Sequence, residues 1–257
     1  MGVVNVTPDS FSDGGLYLDP ERAIAHGLEL VADGADILDV GGESTRPGAE
    51  EVALEEELRR VEPVVAGLAG GGAAISVDTS KAAVAAAALA AGAEIVNDVT
   101  ALRGDAEMAS LCADRQATVV LMHMLGSPRT MQEDPRYDDV VDEVKAFLAE
   151  RVEAALAAGI AEQRIWLDPG IGFGKTAAHN LELLRRLREL QELGRPLVVG
   201  TSRKSFIGKV DGSAAGERLG GTVASSLLAM TAGAEVLRVH DVAEVGQAVA
   251  VATAILG

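Results

Sequence analysis

A chain of 257 residues with a net charge of -17 lacks the clustered Lys and Arg that a nucleic-acid partner requires, and it must meet any anionic ligand with a local patch of positive charge or a metal. Its 48% hydrophobic content is ordinary for a globular protein, and its length suffices to bury a substantial core. The single cysteine, Cys112, excludes an intrachain disulfide and fits a reducing compartment; no secretory signal opens the chain, and the Ala-rich run from Ala82 to Ala93 is too short and weakly apolar for a bilayer, so the expectation is a cytoplasmic protein with no membrane partner.

The first element is an apolar strand, Gly2–Val6, which runs into the polar, turn-rich stretch Thr7-Pro8-Asp9-Ser10-Phe11-Ser12-Asp13-Gly14-Gly15. Asn5 stands at its carboxyl end, where an amide is costly to bury unless it faces a ligand or a metal. Asp19 and Pro20 read as a cap and first-turn proline opening a helix over Pro20–Ala32. Strands at Ile37–Val40, Ala74–Val77, Ile95–Asn97 and Thr118–Met122 then alternate with helices at Glu50–Leu68, Lys81–Ala91 and Asp139–Ala158. Further strands are predicted at Arg164–Leu167, Leu197–Gly200 and Val236–Val239, with helices at Asn180–Leu193 and Gly221–Ala232. The triplets Gly34-Ala35-Asp36, Gly92-Ala93-Glu94 and Gly233-Ala234-Glu235 each close a helix with a left-handed glycine and open a strand; Ala158-Gly159-Ile160 does the same. Eight βα units in this length predict an α/β fold, a single-domain (β/α)8 TIM barrel over residues 1–257. A doubly wound open sheet is the competing arrangement.

In such a barrel the active site lies at the carboxyl ends of the strands. Those ends hold Asn5; Asp39 and Gly41-Gly42-Glu43-Ser44-Thr45-Arg46-Pro47-Gly48; Asp78-Thr79-Ser80; and Asn97-Asp98. Met122-His123, Asp168-Pro169-Gly170, Ser202-Arg203-Lys204-Ser205 and Arg238-Val239-His240-Asp241 follow. Any one of these residues can be a loop residue or a cap, but all eight tips being polar points to converging side chains. Asp78, Asn97 and Asp168 offer acceptors and one amide donor suited to a planar heterocycle with an aminopyrimidine-like edge. Lys204 and Arg238 supply cations for a carbonyl, carboxylate or phosphate, and Arg46 with Thr45 lies in a Gly/Pro-containing loop able to close over an anion. Asn5 offers a neutral oxygen to Mg²⁺, which keeps waters and binds substrate phosphates. Arg238 and His240 alternate, which directs both to one face of a strand.

The segment Gly170-Ile171-Gly172-Phe173-Gly174-Lys175-Thr176 imitates a phosphate-binding P-loop, but Pro169 stands where the motif needs glycine. Its glycines fit a tight turn or a close backbone approach to a ligand, with Phe173 as an apolar wall. Cys112 reads as a small buried hydrophobe, and His26, His123 and His179 as structural.

With those segments in order, the chain resembles the dihydropteroate synthases, folate-pathway transferases of the pterin-binding barrel family. The resemblance runs from Gly2 to the last helix. It implies condensation of 6-hydroxymethyl-7,8-dihydropterin diphosphate with p-aminobenzoate to give dihydropteroate and pyrophosphate, with Mg²⁺ as cofactor, and a target for sulfonamides. By that likeness Asp78, Asn97, Asp168 and Lys204 bind the pterin, and Met122 and Phe173 pack beside its ring. Arg238, His240 and Thr45 hold the diphosphate, as does Asn5 through the metal. Phe11, Arg46, Pro47 and Ser205 shape the p-aminobenzoate pocket. Asp78, Lys204, Arg238 and His240 are the catalytic set, and a homodimer through the later helices is expected, Gly221–Ala232 being rich in small residues.

Members of that family generally carry residues before the first strand that cover the barrel floor; here that segment is expected to be missing or trimmed, leaving apolar side chains exposed. Two other readings stay in view. A pterin-binding methyltransferase shares the barrel and the Asp/Asn edge but does not need the Ser-Thr-Arg-Pro loop or the Arg238/His240 pair. A non-catalytic pterin binder would share the pocket, though intact Asn5, Phe11, Thr45 and Arg46 speak against it.

Overall fold

The backbone alternates between side chains that face helices and side chains that face a common axis, and this period of two places the site. The computed structural model describes residues 1–7, 19–46 and 48–257. Six parallel strands pair in chain order: β1 (Gly2–Asn5), β2 (Ile37–Gly41), β3 (Ala74–Asp78), β4 (Ile95–Asp98), β5 (Thr118–Met122) and β6 (Ile165–Asp168). Two more, β7 (Val198–Val199) and β8 (Val236–Leu237), pair with each other. Parallel bridges from Leu167 to Leu197 and from Val239 to Gly2 close the ring. Val3 N–H donates to the Val239 carbonyl at 3.0 Å and Val239 N–H to that of Met1 at 2.9 Å. The barrel is therefore complete, and the open-sheet alternative falls.

Outward residues such as Leu38, Val40, Ile75, Val77, Val96, Leu121 and Leu167 are buried beneath the helices in one continuous core. These helices include α1 (Pro20–Ala32), α2 (Leu54–Leu68), α3 (Ala82–Ala91), α4 (Met108–Asp114), α5 (Val140–Ala157) and α6 (Ala177–Arg185), then α7 (Ser205–Asp211), α8 (Leu219–Thr231) and α9 (Val242–Leu256). Inward residues change character along each strand. At the amino ends Ile37, Ile95, Val120 and Val198 form an apolar layer with Met1, Trp166 and Val236 packed on it. One residue pair further on come Asp39 and Ser76, and at the carboxyl ends Asp78, Asn97 and Asp168.

Two helix starts differ from the sequence reading by three residues or more, and α4, α7 and α9 are not among the helices it delimits. α2 begins at Leu54 rather than Glu50 because the Glu43 carboxylate takes the Val52 N–H at 2.9 Å, holding that stretch to the preceding loop. α6 begins at Ala177 rather than Asn180, where Thr176 forms a capping box with His179, and the expected long helix gives way after Arg185 to a 3-10 segment over Leu187–Leu193. The expected left-handed caps at Gly34, Gly92, Gly159 and Gly233 are all present, with φ between 92° and 119°.

Candidate active site

Strand register brings the polar inward residues into hydrogen-bonding range. Asp39 on β2 stands opposite Ser76 on β3, whose hydroxyl donates to Asp39 Oδ1 at 2.6 Å. Asp78 stands opposite Asn97, and the Asn97 amide donates to Asp39 Oδ2 at 3.1 Å. From the far side of the ring Arg238 donates through Nε to Asp39 Oδ2 at 2.6 Å and through Nη2 to Asp78 Oδ2 at 3.0 Å. Burial opposes the Arg238 charge, but these two carboxylates outweigh it and keep its pKa above the ordinary value.

Asp78 is the exception in this satisfied network. Its Oδ1 is buried and has no hydrogen-bond partner among the described residues. Burial, reinforced by the Asp39 carboxylate, raises the Asp78 pKa to about 8. An orphaned buried carboxylate oxygen at a strand tip is an acceptor waiting for a ligand's donor.

Asp168, facing Met122 in register, is held by the loop that follows it. Gly170 N–H donates to Asp168 Oδ1 at 2.7 Å. Gly170 has φ +65°, and a Cβ there would lie 1.9 Å from the His123 carbonyl, so only glycine lets the chain pass. The former P-loop lookalike is thus a turn built around Lys175. The Lys175 ammonium is buried and donates to the carbonyls of Gly170 and Phe173, each at 3.0 Å, with His123 Nδ1 at 2.8 Å. Desolvation, then the Lys175 charge, push the His123 pKa down to about 2, so His123 is a neutral structural acceptor, in keeping with the sequence reading.

Lys204 lies within electrostatic reach of Asp168, Arg238 and Asp78. It bonds the Ile171 carbonyl and stands 4.9 Å from the centre of the Phe173 ring. Burial lowers its pKa to about 8. Met122 is buried in a small cluster with Val99, Met124 and Met131, against which Phe173 packs, so the two expected ring-stacking residues do share one apolar wall.

His240 accepts at Nδ1 from, or donates there to, the Ser202 hydroxyl at 2.9 Å, and its backbone N–H donates to the same oxygen at 3.2 Å. Burial depresses its pKa to about 3, and the charges of Arg238, Arg203, Arg46 and Lys204 add to that. These four cations lie within electrostatic reach of one neutral imidazole, Arg238 paired with Asp39 and Asp78 and Arg203 with Asp241, a local concentration of positive charge in a chain of strongly negative charge. Arg203, in the left-handed region at φ 56°, pairs with Asp241 and ties the loop after β7 to the loop after β8.

The remaining expectations divide. Thr45 and Arg46 are half-buried beside the mouth, Ser205 is exposed at the start of α7, and Asn5 is half-buried at the end of β1. Phe11 and Pro47 lie outside the described residues. Sequence reasoning placed Asp39, Glu43 and Ser202 among the polar strand ends without a specific role, and gave none to Ser76, Lys175 or Glu57. The only signal was position: Asp39 and Ser76 lie on the inward face of their strands.

The model of the family described as "Pterin binding enzyme" matches residues 1–240. The dihydropteroate synthase of Neisseria meningitidis serogroup B is 52% identical over 248 residues, covering 94% of this chain and 87% of that protein. The Yersinia pestis dihydropteroate synthase, solved as a sulfonamide drug complex, superposes with a TM-score of 0.97 at 45% identity, covering 100% of this chain and 93% of that one. That of Xanthomonas albilineans, solved with 4-aminobenzoic acid, superposes with a TM-score of 0.93 at 52% identity, covering 100% and 92%.

Proposed function

Because the chain belongs to the pterin-binding enzyme family, among its dihydropteroate synthases, we propose a division of labour for its residues in condensing 6-hydroxymethyl-7,8-dihydropterin diphosphate with p-aminobenzoate. The observation that carries it is the orphaned Asp78 oxygen, opposite Asn97 in register, with Lys204 within electrostatic reach of both Asp78 and Asp168. Asp78, ionised on binding, accepts from the pterin's ring donors, Asn97 offers an amide, and Asp168 accepts from the opposite edge. Lys204 donates to the pterin carbonyl, and Met122 and Phe173 flank the ring.

Arg238 and His240 take the diphosphate, with Thr45 and Arg46 on the facing loop. Negative charge grows on the leaving oxygens as the carbon–oxygen bond breaks, and these cations and donors stabilise it. The Asp78 carboxylate, close to the pterin, favours the positive charge left on the methylene carbon. The aromatic amine then attacks that carbon, and no residue forms a covalent bond. Arg46, Pro47, Phe11 and Ser205 shape the p-aminobenzoate side, and closure of their loops excludes water as a competing nucleophile.

The donor set fits Mg²⁺ only as an ion carried in by the diphosphate. Among the described residues no group of three His, Cys, Asp or Glu gathers, and Asn5 is a single neutral oxygen at the mouth. Mg²⁺ retains waters and needs few protein ligands when phosphates supply the rest. Asn5 would hold it, and when bound it neutralises charge on the departing pyrophosphate.

For a partner we propose a second copy. Exposed Leu228 on α8 and Val251, Ile255 and Leu256 on α9 leave apolar side chains in water on adjoining helices. Sedimentation of the wild-type protein and of Leu228→Glu tests this: a dimer dissociated by the substitution supports it, and a wild-type monomer overturns it. No helix among the described residues is long and apolar enough to cross a membrane. The one thiol, Cys112, is buried and its pKa is pushed up to about 12 by burial, so it is an inert core residue. A lone cysteine fits a reducing compartment, and we place the chain, as one single-domain unit of residues 1–257, in the cytoplasm.

The test is an assay of purified protein with both substrates, with and without Mg²⁺, following pyrophosphate and dihydropteroate together. Equal, Mg²⁺-dependent amounts support the reading. Folded protein that binds the pterin and makes neither product would leave a binder without catalysis.

A further inference from the structure

The loop between β2 and α2 carries Thr45 and Arg46, and its two ends are fastened to one half-buried ionic cluster. Glu57, on the first turn of α2, is 1% exposed, although it sits in the charged run Leu54-Glu55-Glu56-Glu57-Leu58-Arg59-Arg60. One of its carboxylate oxygens accepts from the Thr79 hydroxyl at 2.6 Å, and the other from Lys81 Nζ at 2.6 Å. The same ammonium donates to Glu43 Oε2 at 2.5 Å. That Glu43 oxygen also takes the Val52 N–H at 2.9 Å. A single lysine thus links the residue that begins the loop, the residue that ends it, the helix beneath it, and, through Thr79, the tip of β3 one residue beyond Asp78.

Three further contacts favour the same fixed placement. Gly42 lies so close to α2 that a Cβ would stand 2.7 Å from Val61 and 3.1 Å from the Glu57 side chain. Arg60 donates to the Gly42 carbonyl at 2.9 Å. Midway along the loop Gly48 N–H donates to the Pro128 carbonyl at 3.0 Å, bringing it against the segment after β5. Between them lies a cavity of about 200 Å³ whose walls include Glu43, Thr45, Glu57, Asp78, Thr79 and Met124.

We infer that Lys81 is a positioning residue for the condensation: held between Glu43 and Glu57, it fixes the 42–52 loop against the tip of β3 so that Thr45 and Arg46 stand over the pterin site before p-aminobenzoate arrives. Lys81 itself touches neither substrate. Burial works against its charge, and the two carboxylates overcome this and keep its pKa above the ordinary lysine value, so the clamp stays charged through the physiological range. Two carboxylates sharing one ammonium repel each other when it is removed, so the loop has reason to leave α2 when the cation is lost.

This inference rests on the synthase reading, and wild-type turnover tests that reading separately. The experiment compares Lys81→Met, Lys81→Arg and Glu43→Gln in steady-state kinetics, in titration with 6-hydroxymethylpterin, and in hydrogen exchange of residues 43–52. For Lys81→Met the KM for p-aminobenzoate should rise by about ten-fold and kcat should fall by a similar factor. Affinity for 6-hydroxymethylpterin, which lacks the diphosphate and needs none of the loop, should stay within about two-fold of wild type. Lys81→Arg, which keeps a cation able to reach both carboxylates, should recover most of the loss. Glu43→Gln, which leaves the Lys81–Glu57 pair intact, should show the same split in milder form and faster exchange confined to the loop; it also decides the matter if Lys81→Met does not fold. Equal losses of pterin affinity and p-aminobenzoate kinetics, or unchanged kinetics in both Lys81→Met and Glu43→Gln, overturn the inference. An inactive wild-type protein would sink the synthase reading, and faster exchange in residues 43–52 of Glu43→Gln would still show the clamp.

Discussion

Arg238 Nε lies 2.6 Å from Oδ2 of Asp39, an ion pair that joins the last strand of the barrel to the second through its interior. Asp39 is wholly buried and also accepts from Ser76 and Asn97, so both of its oxygens serve neighbours in the pocket. Removing one partner of such a pair leaves the other charge buried and uncompensated. Asp39→Asn should therefore cost about 3 kcal/mol in chemical denaturation. It should also reduce kcat, because Arg238 and Asn97 both lose the acceptor that orients them. A stability unchanged within error would show that Asp78 alone suffices to hold the guanidinium.

Asp78 should couple pterin binding to a proton. Its pKa of about 8 in the ligand-free protein, against 3.8 for the unperturbed acid, means that it is mostly protonated at pH 7. Accepting the pterin's donors requires the carboxylate, so binding at pH 7 should release close to one proton. Titration calorimetry in buffers of different ionisation heat reads this directly. Asp78→Asn should abolish the release and weaken the pterin by about ten-fold or more. The sign for folding follows from the same numbers. The native state binds the extra proton between pH 4 and 8, so this one group makes stability fall as pH rises through that window, and Asp78→Asn should remove that slope.

The barrel and most of its mouth were legible because their signals are periodic. Alternation along Ala74-Ile75-Ser76-Val77-Asp78 separates helix-facing Ile75 and Val77 from inward Ser76 and Asp78 without any tertiary information. The glycine caps gave the βα repeat in the same way. Glu57 was illegible for the opposite reason. It lies in a run of acidic and basic residues that reads as a solvated helix face, and only Thr79 and Lys81, more than twenty residues away, make its burial tolerable. Lys175 was similarly hidden, because its partners are backbone carbonyls, which have no sequence signature.

Lys175 should prove structural for the pocket wall. Its ammonium has no carboxylate partner among the described residues; backbone carbonyls of the turn after β6, with His123 Nδ1, take its protons. Lys175→Met would spare the cost of a buried cation but strand those carbonyls away from water. The net loss should be about 2 kcal/mol in unfolding free energy, together with weaker pterin binding as Asp168 and Phe173 lose their support. Retained pterin affinity in a destabilised variant would show that the turn keeps its shape without the amine.

His240 should make the fold acid-sensitive in a window that can be named. Its pKa is about 3 in the native protein against 6.5 for the free imidazole, because burial and then the charge of Arg238 resist protonation. Between those values the unfolded chain binds a proton that the native chain does not, so stability is complete above pH 6.5 and declines as pH falls toward 3. The Asp78 slope runs the other way over part of this range, so the quantity to measure is the difference between wild type and His240→Asn. That difference should grow in favour of the variant as pH is lowered from 6.5, whereas a pH-independent difference would mean that His240 is protonated in the folded protein. A bound diphosphate would add negative charge beside the His240 ring. Adding pyrophosphate should therefore raise the native pKa of His240 toward the unfolded value, which flattens the wild-type decline below pH 6.5. A chemical-shift titration of the ring with pyrophosphate present reads this without turnover: a raised pKa fits His240 as a proton donor to the leaving group, and an unchanged one overturns that role.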